Sequence, residues 1–213
     1  MKQLFSSLVE RAMRVAAHHH RNHNRKASQL PYISHPCSVS LILMKAEFDD
    51  DEIIAAALLH DVVEDTDYSM DELEAEFTTK VAEYVAVLTE RKTAGDGSKR
   101  SWQDRKDEHL ETVAHAPLEA RAIVLADKLH NLGTMLYDLE SGEEVWSRFG
   151  APQETILWYH RAMVKNAAGS DERLNQLAQA CCEMLSRLET MNRRRIAIPI
   201  TACGLADLKT GIT

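Results

Sequence analysis

The chain has 213 residues, 45% of them hydrophobic and 27% charged, with 8 Gly, 5 Pro and a formal charge of −8. Those proportions exclude collagen-like, mucin-like and disordered classes, and the length predicts one globular domain that buries about 70% of the surface its unfolded chain exposes. Such a chain needs no metal merely to fold, so a bound metal is expected to serve chemistry.

The acidic total argues against a general nucleic-acid binder, which relies on a net basic face to neutralise phosphates. It leaves room for a small anionic ligand, recruited by a local basic cluster or a divalent ion. The four cysteines, Cys37, Cys181, Cys182 and Cys203, form no C-x-x-C pair. Free thiols in a reducing compartment are therefore expected. Charge recurs near the N-terminus before any apolar stretch long enough for a signal peptide, and the apolar run 53–59 is too short for a bilayer. No membrane association and a cytoplasmic location are the expectation.

Taken in chain order, the periodicity is helical. Leu4, Phe5, Leu8, Val9, Ala12, Val15 and Ala16 recur at three and four, which predicts an amphipathic helix over 2–19. Residues 21–34 lack that period and read as a loop. Pro36 suits the first turn of a helix reaching about Ala46. Asp49, Asp50 and Asp51 place negative charge at the start of a third helix, 51–64, whose body is apolar on every side and so belongs at the centre of the domain. Ser69 and Glu72 have the form of a capping box for a short helix ending near Phe77. Val81, Val85 and Leu88 mark another helix. The stretch 91–100, with Gly95 and Gly97, reads as a mobile loop, and the basic stretch 91–106 as either a flexible rim near the site or, the favoured reading, a merely solvated loop. Ser101 can cap a helix over 102–114, Pro117 can begin a long one, and further helices are expected at 152–167 and 171–190. No strand pattern precedes residue 195. The expected architecture is an all-α single domain over 1–190, with an extension of unknown role over 191–213.

The central helix carries its polar groups at one end, in the sequence His60-Asp61-Val62-Val63-Glu64-Asp65. On a continuous helix His60 would stack over Glu64 and Asp61 over Asp65. Burying such groups unpaired costs roughly 1–3 kcal/mol each, so the pattern points to a site. His35 before Pro36, and Asp127 within Ile123–Leu129, interrupt apolar patterns in the same way. Two imidazoles and two carboxylates suit a borderline-hard divalent ion such as Mn²⁺, Fe²⁺ or Zn²⁺.

Three segments carry a resemblance. Arg25-Lys26-Ala-Ser-Gln-Leu-Pro31-Tyr32-Ile33-Ser34-His35-Pro36 resembles the R-K...P-Y-I-x-H-P signature of the HD-domain hydrolases of RelA/SpoT type. Ala57–Thr66 resembles their A-L-L-H-D-x-x-E-D-T, and Leu125–Leu132 their L-A-D-[KR]-L-x-N, in the same order. The resemblance implies an all-helical HD bundle that holds Mn²⁺ through His35, His60, Asp61 and Asp127. It implies removal of the 3′-pyrophosphate of ppGpp or pppGpp to give GDP or GTP and pyrophosphate. Glu64 and Asp65 would assist activation of the attacking water, and Arg25, Lys26, Lys128, Asn131 and Thr134 would meet the nucleotide.

The length leaves no room for the synthetase and regulatory domains of the long members, so a small stand-alone hydrolase is expected. Gly133 stands where many long members carry Arg. Two other functions fit the same residues: an HD phosphohydrolase for another nucleotide, such as a nucleoside monophosphate or the 2′-phosphate of NADPH, and a nucleotide sensor without turnover. His20 is placed either at the pocket edge or in solvent at its helix end, and His109, His115 and His160 on the surface.

Overall fold

A computed structural model describes residues 4–25 and 29–197, with side chains described through residue 191. Ten α-helices among these residues form one layered bundle: α1 (Ser7–His19), α2 (Ser34–Lys45), α3 (Asp51–Leu59), α4 (Val62–Asp65), α5 (Met70–Glu76), α6 (Thr79–Leu88), α7 (Trp102–Ala114), α8 (Leu118–Glu140), α9 (Gln153–Ala167) and α10 (Glu172–Ala197). The all-α expectation holds. Among the described residues, Asn24 with Pro31 and Thr93 with Lys99 form the isolated β-bridges, and no helix is long and apolar enough to cross a membrane.

The helix starts follow from local chemistry. Side chains of Ser6, Asp50, Ser69, Thr78 and Ser101 each accept a hydrogen bond from a first-turn N–H, and Ser69 with Glu72 completes the capping box. Each such cap contributes about 1 kcal/mol. The Ser6 cap also explains why α1 begins at Ser7 and not at residue 2, leaving Leu4 and Phe5 exposed. Pro117 and Pro152 precede α8 and α9, where the missing N–H costs nothing.

Every residue of α3 from Ile53 to Leu59 is buried, as its all-round apolar sequence requires. Helices α1, α2, α6 and α8 pack around it. The long α8 continues into the second half of the domain, where α7, α9 and α10 cover it. One contiguous apolar core runs through both halves.

Two departures from the sequence reading matter for the site. The predicted helix over 51–64 is interrupted at His60 and Asp61 and resumes as the short α4. The last helix runs past residue 190 to Ala197, and residues 198–213, most of the expected extension, lie outside the described residues. Cys37, Cys181 and Cys182 are free thiols, and Cys203 lies outside the described residues.

Candidate active site

Three helices bring the predicted ligands together. His35 stands in the first turn of α2, His60 and Asp61 in the break between α3 and α4, and Asp127 in the middle of α8. His35, His60 and Asp127 offer ligand atoms that all lie within 4.8 Å of one another. The Oδ2 atom of Asp61 stands beside them, 3.0 Å from His60 Nε2 and 3.5 Å from His35 Nε2. The break explains how sequence neighbours share one target. Adjacent side chains on an unbroken helix diverge by about 100°, whereas Asp61 adopts φ −100° and ψ −5° and brings its carboxylate back to the imidazole before it. The stacking of His60 over Glu64, predicted for a continuous helix, therefore gives way to a His60–Asp61 pair.

Each ligand is held from behind. His60 Nδ1 faces the carbonyl of Ala57 at 2.7 Å and donates its proton there, so in the neutral ring, the form that ligates a cation, Nε2 carries the lone pair and is aimed at the cluster. That Nε2 is buried and has no hydrogen-bond partner: Asp61 is near enough but off the hydrogen-bonding line. Tyr32 donates its phenolic proton to Asp61 Oδ2 at 2.6 Å. Lys128 Nζ reaches Asp127 Oδ2 at 2.6 Å, and Asn131 Nδ2 donates to Asp127 Oδ1 at 2.6 Å. Asn131 Oδ1 in turn accepts from Arg25 Nη2 at 2.9 Å, so the loop before α2 is tied to α8. That loop is closed by paired main-chain bonds, Arg25 N to Leu30 O and Tyr32 N to His23 O.

The electrostatics fit a cation. Burial raises the cost of ionising Asp61 and Asp127, yet His60 for the first, Lys128 for the second and His35 for both hold these carboxyls well below the usual range. Burial alone would strip the proton from His60, but Asp61 and Asp127 outweigh it and lift the imidazole to about 9. A field that concentrates positive charge on a fully buried imidazole is one that a divalent ion would meet. The orphaned His60 Nε2 and the N/O donor set both fit such an ion.

The cluster opens into a cavity of about 740 Å³. Six carboxylates line it, those of Asp61, Glu64, Asp65, Glu90, Asp127 and Asp138, against four basic side chains, Arg25, Lys106, Lys128 and Arg148. Glu64 sits on the cavity wall, where its Oε2 accepts from the main-chain N–H of Glu90 at 3.2 Å and Lys92 Nζ approaches Oε1 at 3.4 Å. Burial raises its pKa, with help from the charges of Glu90 and Asp65. Lys92 also stands 3.4 Å from Asp65. Asn131 and Thr134 line the same cavity, while Lys26 lies outside the described residues. A Cβ at Gly133 would meet nothing within 4 Å.

A second polar cluster, absent from the sequence reading, lines the same cavity. The side chain of Glu90 is 7% exposed and gathers Lys106, the Tyr159 hydroxyl at 3.3 Å and His109 Nδ1 at 3.4 Å. Lys106 also lies over the Tyr159 ring, 4.3 Å from its centroid. Two surface assignments are thereby corrected: His109 and His160 are buried, the first because it completes the Glu90 cluster and the second because α9 turns it inward beside Lys128, where burial lowers its pKa to about 3. His115 is exposed as expected. Lys106 likewise is partly buried in the cavity wall, while residues 91–99 are exposed. The spacing Trp102, Lys106, His109 puts all three on one face of α7, a period that could have revealed them. His20 is buried against Tyr32 with its ring 4.6 Å away. Tyr32 and His130 fall inside the quoted motifs but had no role.

Comparison with known proteins agrees with this geometry. The HD domain model matches residues 12–151. The guanosine-3′,5′-bis(diphosphate) 3′-pyrophosphohydrolase MESH1 of Mus musculus is 36% identical over 163 residues, covering 76% of this chain and 85% of the relative. The MESH1 of Danio rerio is 35% identical over 178 residues, covering 81% of this chain and 93% of its own length. A solved structure described as a metazoan orthologue of SpoT that hydrolyses ppGpp superposes with a TM-score of 0.66 and 30% identity, covering 91% of this chain and 98% of the other. With the HD model matching more than half of its length and its His and Asp residues meeting at one buried cluster, the chain belongs to the HD-domain family.

Proposed function

We propose that the protein hydrolyses the 3′-pyrophosphate of ppGpp and pppGpp, releasing GDP or GTP and pyrophosphate, and that the metal it uses is Mn²⁺, with Fe²⁺ or Zn²⁺ as substitutes. The observation that carries this reading is the buried His35–His60–Asp127 cluster, with Asp61 beside it, on the wall of a cavity large enough for a nucleotide. The relatives named for this activity share the chain's length and fold closely enough for the same chemistry to be expected.

His35, His60, Asp61 and Asp127 would hold the ion. Bound there, a divalent cation supplies Lewis-acid polarisation of a phosphoryl oxygen and lowers the pKa of water toward neutrality. The protein's own groups do the rest. Glu64, with its raised proton affinity, is suited to take a proton from the attacking water, and Asp65 extends the same acidic edge. The water oxygen bonds to the phosphorus attached to O3′, the bond between that phosphorus and O3′ breaks, and the ribose 3′-oxygen leaves as a hydroxyl. Arg25, Lys26, Lys128, Asn131 and Thr134 form the nucleotide side. Arg25 offers a planar fork or a stacking face, and the Arg25–Asn131–Asp127 chain couples nucleotide contact to the ligand set. The hydrolase domain spans 1–190 in this reading, acts in the cytoplasm on a small nucleotide, and carries 191–213 as an extension.

Purified protein incubated with ppGpp and Mn²⁺ should release GDP and pyrophosphate in equal amounts. Inorganic phosphate alone, or no product while NADPH or a nucleoside monophosphate is dephosphorylated, would overturn the assignment.

A further inference from the structure

The third motif contains a histidine with no assigned part. His130 lies on α8 three residues after Asp127, lines the cavity, and places its Nδ1 2.7 Å from the Nδ1 of His35. Two imidazole nitrogens at that distance share one proton: one ring donates and the other accepts. The direction of this bond decides what His35 can do at its other nitrogen. If His130 donated, neutral His35 would carry its proton on Nε2, which lies 3.1 Å from Asp127 Oδ1, and it could not offer a lone pair to a cation. If His35 donates, its Nε2 is free to ligate.

We propose that His130 is a positioning residue whose Nδ1 accepts the Nδ1–H of His35 and so fixes His35 in the tautomer that binds the cation. This rests on reading the cluster as a cation site. The pairing parallels that of His60, whose Nδ1–H is taken by the Ala57 carbonyl. The two imidazole ligands are thus oriented from behind by different means, one by main chain and one by a side chain that can be replaced. The ring of His130 is centred 4.8 Å from that of His35 and tilted by 44°, so the contact is made through the nitrogens and not by stacking in parallel planes. With Nδ1 occupied, the proton of His130 itself sits on Nε2.

The test compares Mn²⁺ affinity, measured by calorimetric titration of the metal-stripped full chain, for the wild type, His130→Leu and His130→Asn. Leu fills the space and removes the acceptor, whereas Asn places an amide oxygen near the position of Nδ1. Loss of an outer partner of this kind weakens metal binding by about 10–100-fold, so His130→Leu should lie in that range and His130→Asn within a few-fold of wild type. His130→Ala replaces the Leu variant should that fail to fold. In the Zn²⁺-loaded wild type, nitrogen chemical shifts should show His35 protonated at Nδ1 and His130 unprotonated there.

Leu and Ala variants that bind Mn²⁺ as tightly as wild type would overturn the proposal, as would an equal loss in the Asn variant. A wild type that binds no Mn²⁺, Fe²⁺ or Zn²⁺ would instead overturn the cation site itself, which separates the two failures.

Discussion

Two polar clusters line the one cavity, and they compensate buried charge in different ways. On the α7–α9 side, Glu90 is surrounded by partners the chain itself supplies, Lys106, His109 and the Tyr159 hydroxyl, with Arg105 at 3.6 Å. Its carboxyl is held far below the usual range by these contacts in spite of burial. On the α2–α3–α8 side, two carboxylates converge on two imidazoles, and a buried imidazole nitrogen is left without a partner. The first cluster compensates its single carboxylate with cations of its own, although Glu90 Oε2 and His109 Nε2 are, like His60 Nε2, buried without a hydrogen-bond partner. The second gathers the mixed N/O donor set that a divalent cation takes, and that difference in ligand chemistry, rather than burial or an orphaned nitrogen, separates structural polarity from a functional site.

The sharpest way to break this comparison is to remove one carboxylate from the ligand cluster. Asp127→Ala should abolish turnover and metal content together, a loss larger than the roughly 10–100-fold cost of removing a ligand's supporting partner. Glu64→Ala should lower turnover by about 10²–10⁴-fold, the range for a lost general base, while metal content measured by elemental analysis stays at the wild-type level. Equal metal loss in both variants would show that the two residues do not divide ligation from proton transfer.

The Glu90 cluster should respond in stability instead. Glu90→Leu strands the partly buried Lys106 and should cost about 1–3 kcal/mol in denaturant unfolding, whereas Glu90→Leu with Lys106→Met should recover most of that loss. The ligand cluster gives the mirror image: saturating Mn²⁺ at about 100 times its Kd should stabilise the wild type by about 2.7 kcal/mol, and Asp127→Ala should lose this increment entirely. Retention of the Mn²⁺ effect in Glu90→Leu would confirm that the two clusters are independent. Its loss would mean that they are one site.

The same contrast explains what could be read from the sequence. His35, His60, Asp61 and Asp127 each interrupt a local apolar pattern, and a polar residue inside such a pattern is visible without tertiary information. Glu90 sits just beyond the end of α6, Lys106 on a charged helix and His109 among polar neighbours, so no local rule is broken at any of them. Only the packing of α7 against α9 brings them together with Tyr159, and His109 and His160 were therefore misplaced on the surface. The helix order was legible because caps and prolines mark the starts. The break at His60 was not, since His60 and Asp61 have no strong helix-breaking character and the cause is tertiary: His60 is drawn toward Asp127 on α8 and Asp61 toward His35 on α2.

The finest test lies at Glu64, the residue through which the two clusters touch. Burial raises its pKa first, and Glu90 and Asp65 add to the rise. The N–H of Glu90 and the ammonium of Lys92 oppose it, and Lys106 acts on the same field from α7. A general base works as the carboxylate, so turnover must fall as pH drops through this raised pKa. Lys92→Met removes a cation that favours the carboxylate, and the acid limb of kcat should move to higher pH. Lys92 is about half exposed, with 49% of its side chain accessible. An exposed ion pair is worth about 0–1 kcal/mol, which at 1.36 kcal/mol per pKa unit caps the displacement near 0.7 pH units. Glu90→Gln removes an anion from the other side and should move the limb to lower pH. Opposite displacements in the two variants would identify Glu64 as the titrating base, and displacements in the same direction would assign the limb to another group.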